Sequence, residues 1–121
     1  MTRSPKPPLP NPARGLFIFG DLDGRGDSVR LQHPLGITHG RAGDRTLYIA
    51  DSYNHRIKAL DPVSRAATTL FGGGEAGHED GAGATASFYE PGGLSYANGK
   101  LYVADTNNHR VRMIDLTTGT I

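Results

Sequence analysis

Short apolar runs alternate with clusters of turn-forming residues along most of the chain. Runs such as TLYIA (46–50) and LYVA (101–104) are bounded by Gly, Asn, Asp, Pro or Ser, which favour turns through left-handed tolerance or a fixed φ. No stretch carries an apolar stripe at i, i+3, i+4 and i+7 that stays free of glycine for three turns. The pattern therefore predicts an all-β chain with almost no helix.

The chain contains an internal repeat. LYIADSYNHRIKALD (47–61) and LYVADTNNHRVRMID (101–115) are identical at eight of fifteen positions. Three shorter pairs keep the same order: LFIFG (16–20) with TTLFG (68–72), DGRG (23–26) with DGAG (80–83), and HPLGI (33–37) with EPGGL (90–94). A repeat of about 50 residues indicates a solenoid, a propeller or a similar array.

Each copy divides into short strands, which we label a to d. Strand a follows the P-x-G motif, strand b is the LY[IV]A run, strand c is HRIKALD or HRVRMID, and strand d is ATTLFG in the first copy. Strand b is apolar throughout, which predicts burial on both faces, whereas strand c alternates and is expected further out. Four antiparallel strands in each repeat are typical of a propeller blade.

The motif P-x-G-[IL] … LY[IV]AD[ST]-x-NHR[IV] resembles the NHL repeat, the blade unit of propellers that usually have six blades. The resemblance covers the chain from Leu16 to its end. The sequence of these motifs is most similar to that of the branch in which a thioredoxin-like domain accompanies the propeller, although no CxxC motif occurs here. The resemblance implies a partial NHL-type β-propeller of about two four-stranded antiparallel blades.

The repeat predicts the following organisation. Residues 1–15 form a Pro-rich flexible lead-in, 16–20 form strand d of a preceding or neighbouring blade, 21–72 form blade 1, and 73–121 form blade 2 without its strand d. Two interpretations follow. The segment belongs to a longer propeller chain that supplies the remaining blades, or two-blade protomers associate into a trimer that closes a six-bladed ring and removes exposed edges.

The amino-acid composition limits the kinds of partner and chemistry that we expect for this chain. The chain has 121 residues, with 13 basic and 12 acidic side chains and a net charge of +1, which gives no electrostatic argument for nucleic acid or a membrane surface. The absence of cysteine excludes disulfides and thiolate chemistry within this sequence. No apolar run has the length of a membrane helix, and no secretory signal is recognisable. We therefore expect a cytoplasmic location.

Loops at one end of the blades are the candidate binding face. In an antiparallel a–b–c–d blade, the d–a loop and the b–c turn are expected at the same end of the strands, where propellers commonly bind ligands. The DG-x-G and D-x-x-N-H segments are assigned to this end. The predicted face consists of Asp23, Tyr53, Asn54, Asp80, Asn107 and Asn108.

An aspartate and a histidine flank each b–c turn: Asp51 with His55, and Asp105 with His109. Such a pair could bind metal or transfer protons. Because the pair recurs in both copies, we predict that it is a structural bracket, in which the aspartate caps the turn amides and fixes the histidine. The resemblance implies the same architectural role for these positions.

Three further histidines, His33, His39 and His78, are candidates for metal binding. His33 and His39 correspond to Glu90 and Tyr96 in the second copy, so no ring of ligands emerges. The glycine-rich stretches 21–28 and 71–83 lack the features of calcium and phosphate loops and are expected to be flexible d–a loops. We predict no catalytic, cofactor-binding or metal-binding residue.

Strand c carries four basic residues that alternate with apolar ones. Some NHL propellers bind RNA on a basic face, but stacking aromatics and a large net positive charge are missing here. We predict a solvated outer edge, offset by Asp61 and Asp115, formed by Arg56, Lys58, Arg110 and Arg112.

The predicted function is a scaffold that binds a protein or peptide, without chemistry of its own. The alternatives are part of a metal-dependent lyase or hydrolase propeller, or part of a redox protein whose thioredoxin-like domain lies elsewhere. No cofactor, nucleic acid or membrane is expected as a partner. The remaining blades of a parent chain, or further copies of this one, are expected to contact it.

Overall fold

The computed structural model describes residues 19–121, whose regular structure is antiparallel β-sheet with four single 3₁₀ turns. The strands are β1 (Gly24–Arg25), β2 (Gly36–His39), β3 (Leu47–Asp51), β4 (Arg56–Leu60), β5 (Ala66–Phe71), β6 (Pro91–Ala97), β7 (Lys100–Asp105) and β8 (Arg110–Asp115). The 3₁₀ turns are Gly26–Ser28, Ser52–Asn54, Gly83–Thr85 and Thr106–Asn108. No α-helix occurs in residues 19–121, and the all-β prediction is confirmed.

The first sheet contains strands a to d of the first copy in the predicted order, as β2, β3, β4 and β5. It has a fifth strand, because the order is β1-β5-β4-β3-β2. The short β1 pairs Gly24 with Ala67 and Arg25 with Ala66 along the outer edge of β5. The DGRG segment was predicted to lie in a loop, but it extends beside strand d, where the backbone groups of β5 would otherwise lack partners.

The second sheet has the order β6-β7-β8, which are strands a, b and c of the second copy. Thr120 forms isolated bridges to both Asp115 and Ala82. The bridge between Ala82 and Thr120 repeats the pairing of Arg25 with Ala66 in the first sheet. The DG-x-G segment of the second copy therefore reaches the start of strand d in the same way.

The predicted lead-in (1–15) and most of the predicted strand 16–20 lie outside the described residues. Phe19 and Gly20 are described, and they are not in a strand. Gly20 accepts a hydrogen bond from Asn54 Nδ2, as Gly77 does from Asn108 Nδ2, both at 2.6 Å. Gly20 therefore corresponds to Gly77, and its alignment with the glycine at the end of TTLFG was wrong.

A single hydrophobic cluster lies between the two sheets. Its buried members alternate with outward-facing residues along β3, β4, β7 and β8, as two stacked sheets require. They are Tyr48, Ala50, Ile57 and Phe71 from the first sheet, Leu101, Val103 and Ile114 from the second, and Phe88 from the segment before β6. Burial of this cluster is the main apolar contribution to the stability of the described chain.

Strand b is buried on both faces in the first sheet only. Tyr48, Ile49 and Ala50 in β3 are all buried, whereas in β7 the buried Leu101 and Val103 alternate with the exposed Tyr102. The two strands differ because the far face of the second sheet has no neighbour within residues 19–121. The sequence-based prediction for strand b therefore holds for β3 and not for β7.

Strand β2 of the first sheet and strand β6 of the second approach each other closely at a glycine. A Cβ atom at Gly36 in β2 would lie 2.2 Å from the carbonyl oxygen of Gly92. Gly93 holds the same place in the second P-x-G motif, and a Cβ atom there would have the Ala104 Cβ as its nearest neighbour, at 3.6 Å. Backbone contact between the sheets therefore requires glycine at position 36 and not at position 93.

We expect the Gly36→Ala variant to lower the free energy of unfolding by roughly 1–3 kcal/mol, the usual cost of overpacking a tight contact. Urea unfolding followed by far-UV circular dichroism measures the change. Gly93→Ala is the matched control and is expected to change stability by no more than about 0.5 kcal/mol. Equal losses in the two variants would show that the sheets do not meet at Gly36.

Candidate functional site

The b–c turns have the same geometry in both copies. Ser52–Asn54 and Thr106–Asn108 each form one 3₁₀ turn, which ends at a histidine in the left-handed conformation. His55 and His109 both have φ 56°, and each donates its backbone N–H to the first residue of the turn at 3.1 Å. The repeated D-x-x-N-H sequence therefore specifies one local fold.

Asp51 is fully buried at the start of the first turn, and both of its carboxylate oxygens are engaged. Oδ1 accepts the backbone N–H of Gln32 at 2.8 Å, and Oδ2 accepts from Asn54 Nδ2 at 2.7 Å and lies 3.2 Å from Lys58 Nζ. Asp51 thus joins strand b, strand c and the segment that precedes strand a.

Asp105 makes the same set of contacts in the second copy. Its Oδ1 accepts the backbone N–H of Tyr89 at 2.8 Å, and its Oδ2 accepts from Asn108 Nδ2 at 2.8 Å and Arg112 Nη1 at 2.7 Å. Neither aspartate accepts a hydrogen bond from the amides of its turn, so the capping assigned to the predicted bracket is not seen. The buried carboxylate instead pairs with the asparagine three residues later and the cation seven residues later.

The prediction that strand c carries a solvated basic edge is wrong for two of its four residues. Arg110 is exposed and Arg56 is partly buried, but Lys58 is fully buried and Arg112 is 5% exposed. Lys58 Nζ lies 2.8 Å from Asp21 and 3.6 Å from Asp23, and Arg112 Nη2 lies 2.8 Å from Asp80. The aspartates that pair with these cations lie within or just before the DG-x-G segments, more than thirty residues away in sequence.

The ionisation of these groups follows from the pairing. Burial alone would lower the pKa of Lys58, but the carboxylates of Asp21 and Asp51 outweigh it and raise that pKa above its usual value. Burial would raise the pKa of Asp23, but hydrogen bonds from Thr69 and the charge of Lys58 lower it. Both groups are therefore charged at neutral pH, as the pairing of the buried Lys58 ammonium requires.

Asp61, which was expected to offset the strand c cations, pairs elsewhere. It receives two hydrogen bonds from Arg45, each at 2.9 Å, at the c–d turn. These bonds and the Val63 N–H lower the pKa of Asp61 to about 2. Asp115 has a similar turn role, since its carboxylate accepts the backbone N–H of Thr117 at 2.9 Å.

Two residues of the predicted binding face do not lie at the end of the strands. Asp23 accepts both the N–H and the hydroxyl of Thr69 at 2.8 Å, beside the middle of β5. Asp80 lies beside β8, where it pairs with Arg112. The prediction placed them at the b–c end because it treated DG-x-G as a loop, whereas this segment follows the outer edge of the sheet.

Asn54 and Asn108 do lie at the b–c end, but their side chains are used within the fold. Each Nδ2 bridges the buried aspartate and a backbone carbonyl, as described above. Tyr53 and Asn107 remain exposed there. Of the six predicted residues, these two are exposed at the b–c end.

His33 adds to this end of the molecule. Its ring stacks on that of Tyr53 with centroids 4.5 Å apart and an angle of 11° between the planes. His33 is exposed and has φ 56°. From the sequence, His33 is only a metal candidate; its pairing with Tyr53 has no sequence signal, since the two lie twenty residues apart. The candidate face, as the structure defines it, consists of His33, Tyr53 and Asn107.

His55 connects the two sheets. Its Nδ1 accepts the backbone N–H of Glu90 at 3.0 Å, and its ring meets the Tyr89 ring edge-on at 5.7 Å between centroids. The hydroxyl of the buried Ser52 donates to the Pro91 carbonyl of the second sheet. The first b–c turn is therefore part of the contact between sheets, which explains why its polar residues are buried.

Other potential ligands for a metal are dispersed. His39 contacts the Gly40 carbonyl, and His78 is exposed. Within residues 19–121, no three side chains of His, Asp or Glu are grouped so that they could hold a metal ion.

A hollow of about 700 Å³ opens on the face of the first sheet turned away from the second, lined in part by Leu31, His33, Ile49, Lys58 and Leu60.

None of the helical turns between residues 19 and 121 is long and apolar enough to cross a membrane.

Comparison with known proteins identifies the repeat. The NHL repeat profile matches residues 88–113. The chain is 53% identical over 109 residues to NHL repeat-containing protein 2 of Bos taurus, which covers 88% of this chain and 15% of that protein. It is 52% identical over 108 residues to Protein SUPPRESSOR OF QUENCHING 1, chloroplastic, of Arabidopsis thaliana, which covers 88% of this chain and 10% of that protein.

A solved structure has the same arrangement of sheets. The auxiliary nutrient binding protein of Bacteroides ovatus superimposes with a TM-score of 0.72 at 30% identity, over 79% of this chain and 26% of that one. The chain thus spans a small part of each of these longer proteins. The repeated motif, the stacked antiparallel sheets and these similarities agree. The chain therefore belongs to the NHL-repeat family, and its two sheets are blades of a partial NHL-type β-propeller.

Proposed function

We propose that this segment is a scaffold that binds a protein or peptide at the b–c end of its blades and carries out no reaction itself. The observation that supports this is that some polar residues at this end are paired within the fold, whereas others are exposed. In each copy, the aspartate before the b–c turn, the asparagine within it and one strand c cation pair with one another, whereas the stacked rings of His33 and Tyr53 are exposed. A rigid, exposed aromatic pair is the kind of group that anchors partners at interfaces.

The name of the Bacteroides ovatus protein describes nutrient binding, which agrees with a binding role for this fold without specifying a ligand here. No cluster within residues 19–121 favours a metal-dependent lyase or hydrolase. A redox role would reside in a thioredoxin-like domain, outside this sequence. A cytoplasmic location stays a prediction, and the Arabidopsis relative is named as chloroplastic.

The test selects peptides from a displayed random library on the full 121-residue chain and measures their affinity for variants. We expect Tyr53→Ala to weaken a selected peptide at least tenfold, because a large aromatic at the centre of an interface commonly contributes more than about 1.4 kcal/mol. Asn107→Ala should have a smaller effect. Nuclear magnetic resonance titration should map the peptide to His33 and Tyr53.

Val63→Ala is the control, since Val63 is exposed at the c–d turn, at the opposite end of the strands. Peptides whose affinity depends on Val63 and not on Tyr53 would overturn the proposed face. Turnover of a selected peptide by the purified chain would overturn the proposal that the segment lacks chemistry.

A further inference from the structure

A polar cleft of about 230 Å³ opens between the two sheets at the a–b end of the strands, away from the b–c end. Its lining comes from β3 and the a–b loop of the first copy, and from β6 and the a–b and c–d turns of the second. Pockets for drug-sized molecules measure roughly 300–1,000 Å³, so this cleft suits a smaller ligand. The polar residues of the lining are Arg41, Asp44, Tyr48, Tyr96 and Thr117.

Tyr48 is 9% exposed, yet its hydroxyl has no hydrogen-bond partner within the fold. The hydrogen bonds at the cleft run from the Thr46 N–H to Asp44 Oδ1 at 2.9 Å and from the Gly99 N–H to the Tyr96 hydroxyl at 3.1 Å. None among residues 19–121 reaches the Tyr48 hydroxyl, although a buried tyrosine hydroxyl usually has a partner. Burial and the charge of Asp44 raise the pKa of Tyr48, so the hydroxyl keeps its proton and can donate it.

The second tyrosine also has a proton to donate. Because the Tyr96 oxygen accepts the Gly99 N–H, that bond does not use the Tyr96 proton. The two tyrosines come from strands of different sheets, β3 and β6. The cleft therefore offers two hydroxyl donors, one from each side.

An oxygen of Asp44 faces the same space. A Cβ atom at Gly40 would lie 3.8 Å from the Tyr48 hydroxyl and 3.8 Å from Asp44 Oδ2, so the two oxygens approach a common point. The Thr46 N–H bonds to the other carboxylate oxygen, Oδ1. Oδ2 is therefore available to a donor on a ligand.

Arg41 supplies a positive charge beside this carboxylate. The hydrogen bonds to Asp44 come from Thr46, and they lower the pKa of Asp44, which the charge of Arg41 lowers further. The lining thus carries one cation and one anion. A simple carboxylate would meet the charge of Asp44, and a simple amine would meet that of Arg41, whereas a ligand with both charges complements the cleft.

We propose that this cleft binds a free α-amino acid as its zwitterion. The carboxylate of the amino acid accepts hydrogen bonds from the hydroxyls of Tyr48 and Tyr96 and pairs with Arg41, while its ammonium group donates to Asp44 Oδ2. The cleft and the exposed rings of His33 and Tyr53 lie at opposite ends of the strands, so this inference is independent of the proposed function.

The test titrates the isotopically labelled full chain with L-leucine, L-serine and L-glutamine in turn and follows its amide resonances. We expect the largest changes at Thr46 and Gly99, whose amides bond to Asp44 and Tyr96. Isocaproate, which is leucine without its ammonium group, and isoamylamine, which is leucine without its carboxylate, should each bind at least tenfold more weakly than leucine. The same titrations give these affinities.

Tyr48→Phe removes only the hydroxyl and should weaken the best of the three amino acids about tenfold, as expected for a hydrogen bond to a charged group. Tyr102→Phe is the matched control, because Tyr102 holds the place of Tyr48 in the second copy and does not line the cleft. Asp44→Asn should remove the preference for leucine over isocaproate, which a loss of structure alone would not do. Circular dichroism confirms that each variant is folded.

Three results would overturn the proposal. They are no change of the amide resonances with any of the three amino acids, changes confined to the b–c end, and equal affinities of Tyr48→Phe and Tyr102→Phe. Binding of isocaproate as tight as that of leucine would overturn the assigned role of Asp44 and, with it, the zwitterion.

Discussion

Replacing Lys58 with methionine is expected to lower the free energy of unfolding by about 3–5 kcal/mol, the usual effect of removing one partner from a buried ion pair. Methionine keeps the length of the side chain but leaves the fully buried Asp51 carboxylate without its cation. Since small domains unfold with about 5–15 kcal/mol, the loss is a large share of the total. Urea unfolding gives the value.

Two further variants show whether the loss of stability comes from the buried ion pair. Lys58→Arg should retain more stability than Lys58→Met, because the second copy uses Arg112 in the same place to pair with Asp105. Arg110→Met changes an exposed cation on strand c and should shift stability by no more than about 0.5 kcal/mol. Equal effects at positions 58 and 110 would contradict the buried pair and support the solvated edge predicted from sequence.

Removing the ring of Phe88 is the second change with a large expected effect. Phe88 is fully buried between the sheets, and the Arg112 guanidinium lies 5.3 Å from the centre of its ring. We expect Phe88→Ala to lower the free energy of unfolding by about 3–5 kcal/mol through the lost apolar contacts and the cavity left behind. The same urea titration measures it.

Phe19→Ala is the matched control, because Phe19 is 70% exposed and its removal should cost no more than about 0.5 kcal/mol. A small loss at Phe88 would mean that the two sheets do not share a core and that each is stable alone. The comparison thus tests the packing between sheets, whereas the Lys58 variants test the polar network within one sheet.

The polar network shows where prediction from sequence failed. The spacing D-x-x-N-x-x-x-[KR] occurs in both copies, so a recurring interaction among Asp51, Asn54 and Lys58 could have been inferred. Alternation along strand c suggested instead that its cations point to solvent. Their partners Asp21 and Asp80 come from segments more than thirty residues away, and the period of a strand carries no information about such distant contacts.

The sequence by itself determined the all-β class, the order of strands a to d and the repetition of the b–c turn in both copies, because these depend on local residue preferences and on the period of apolar positions. The tertiary structure alone decided which charges are buried and where the DG-x-G segments lie. These features depend on contacts between segments distant in the chain. For that reason, the pairing of His33 with Tyr53 emerged only from the fold.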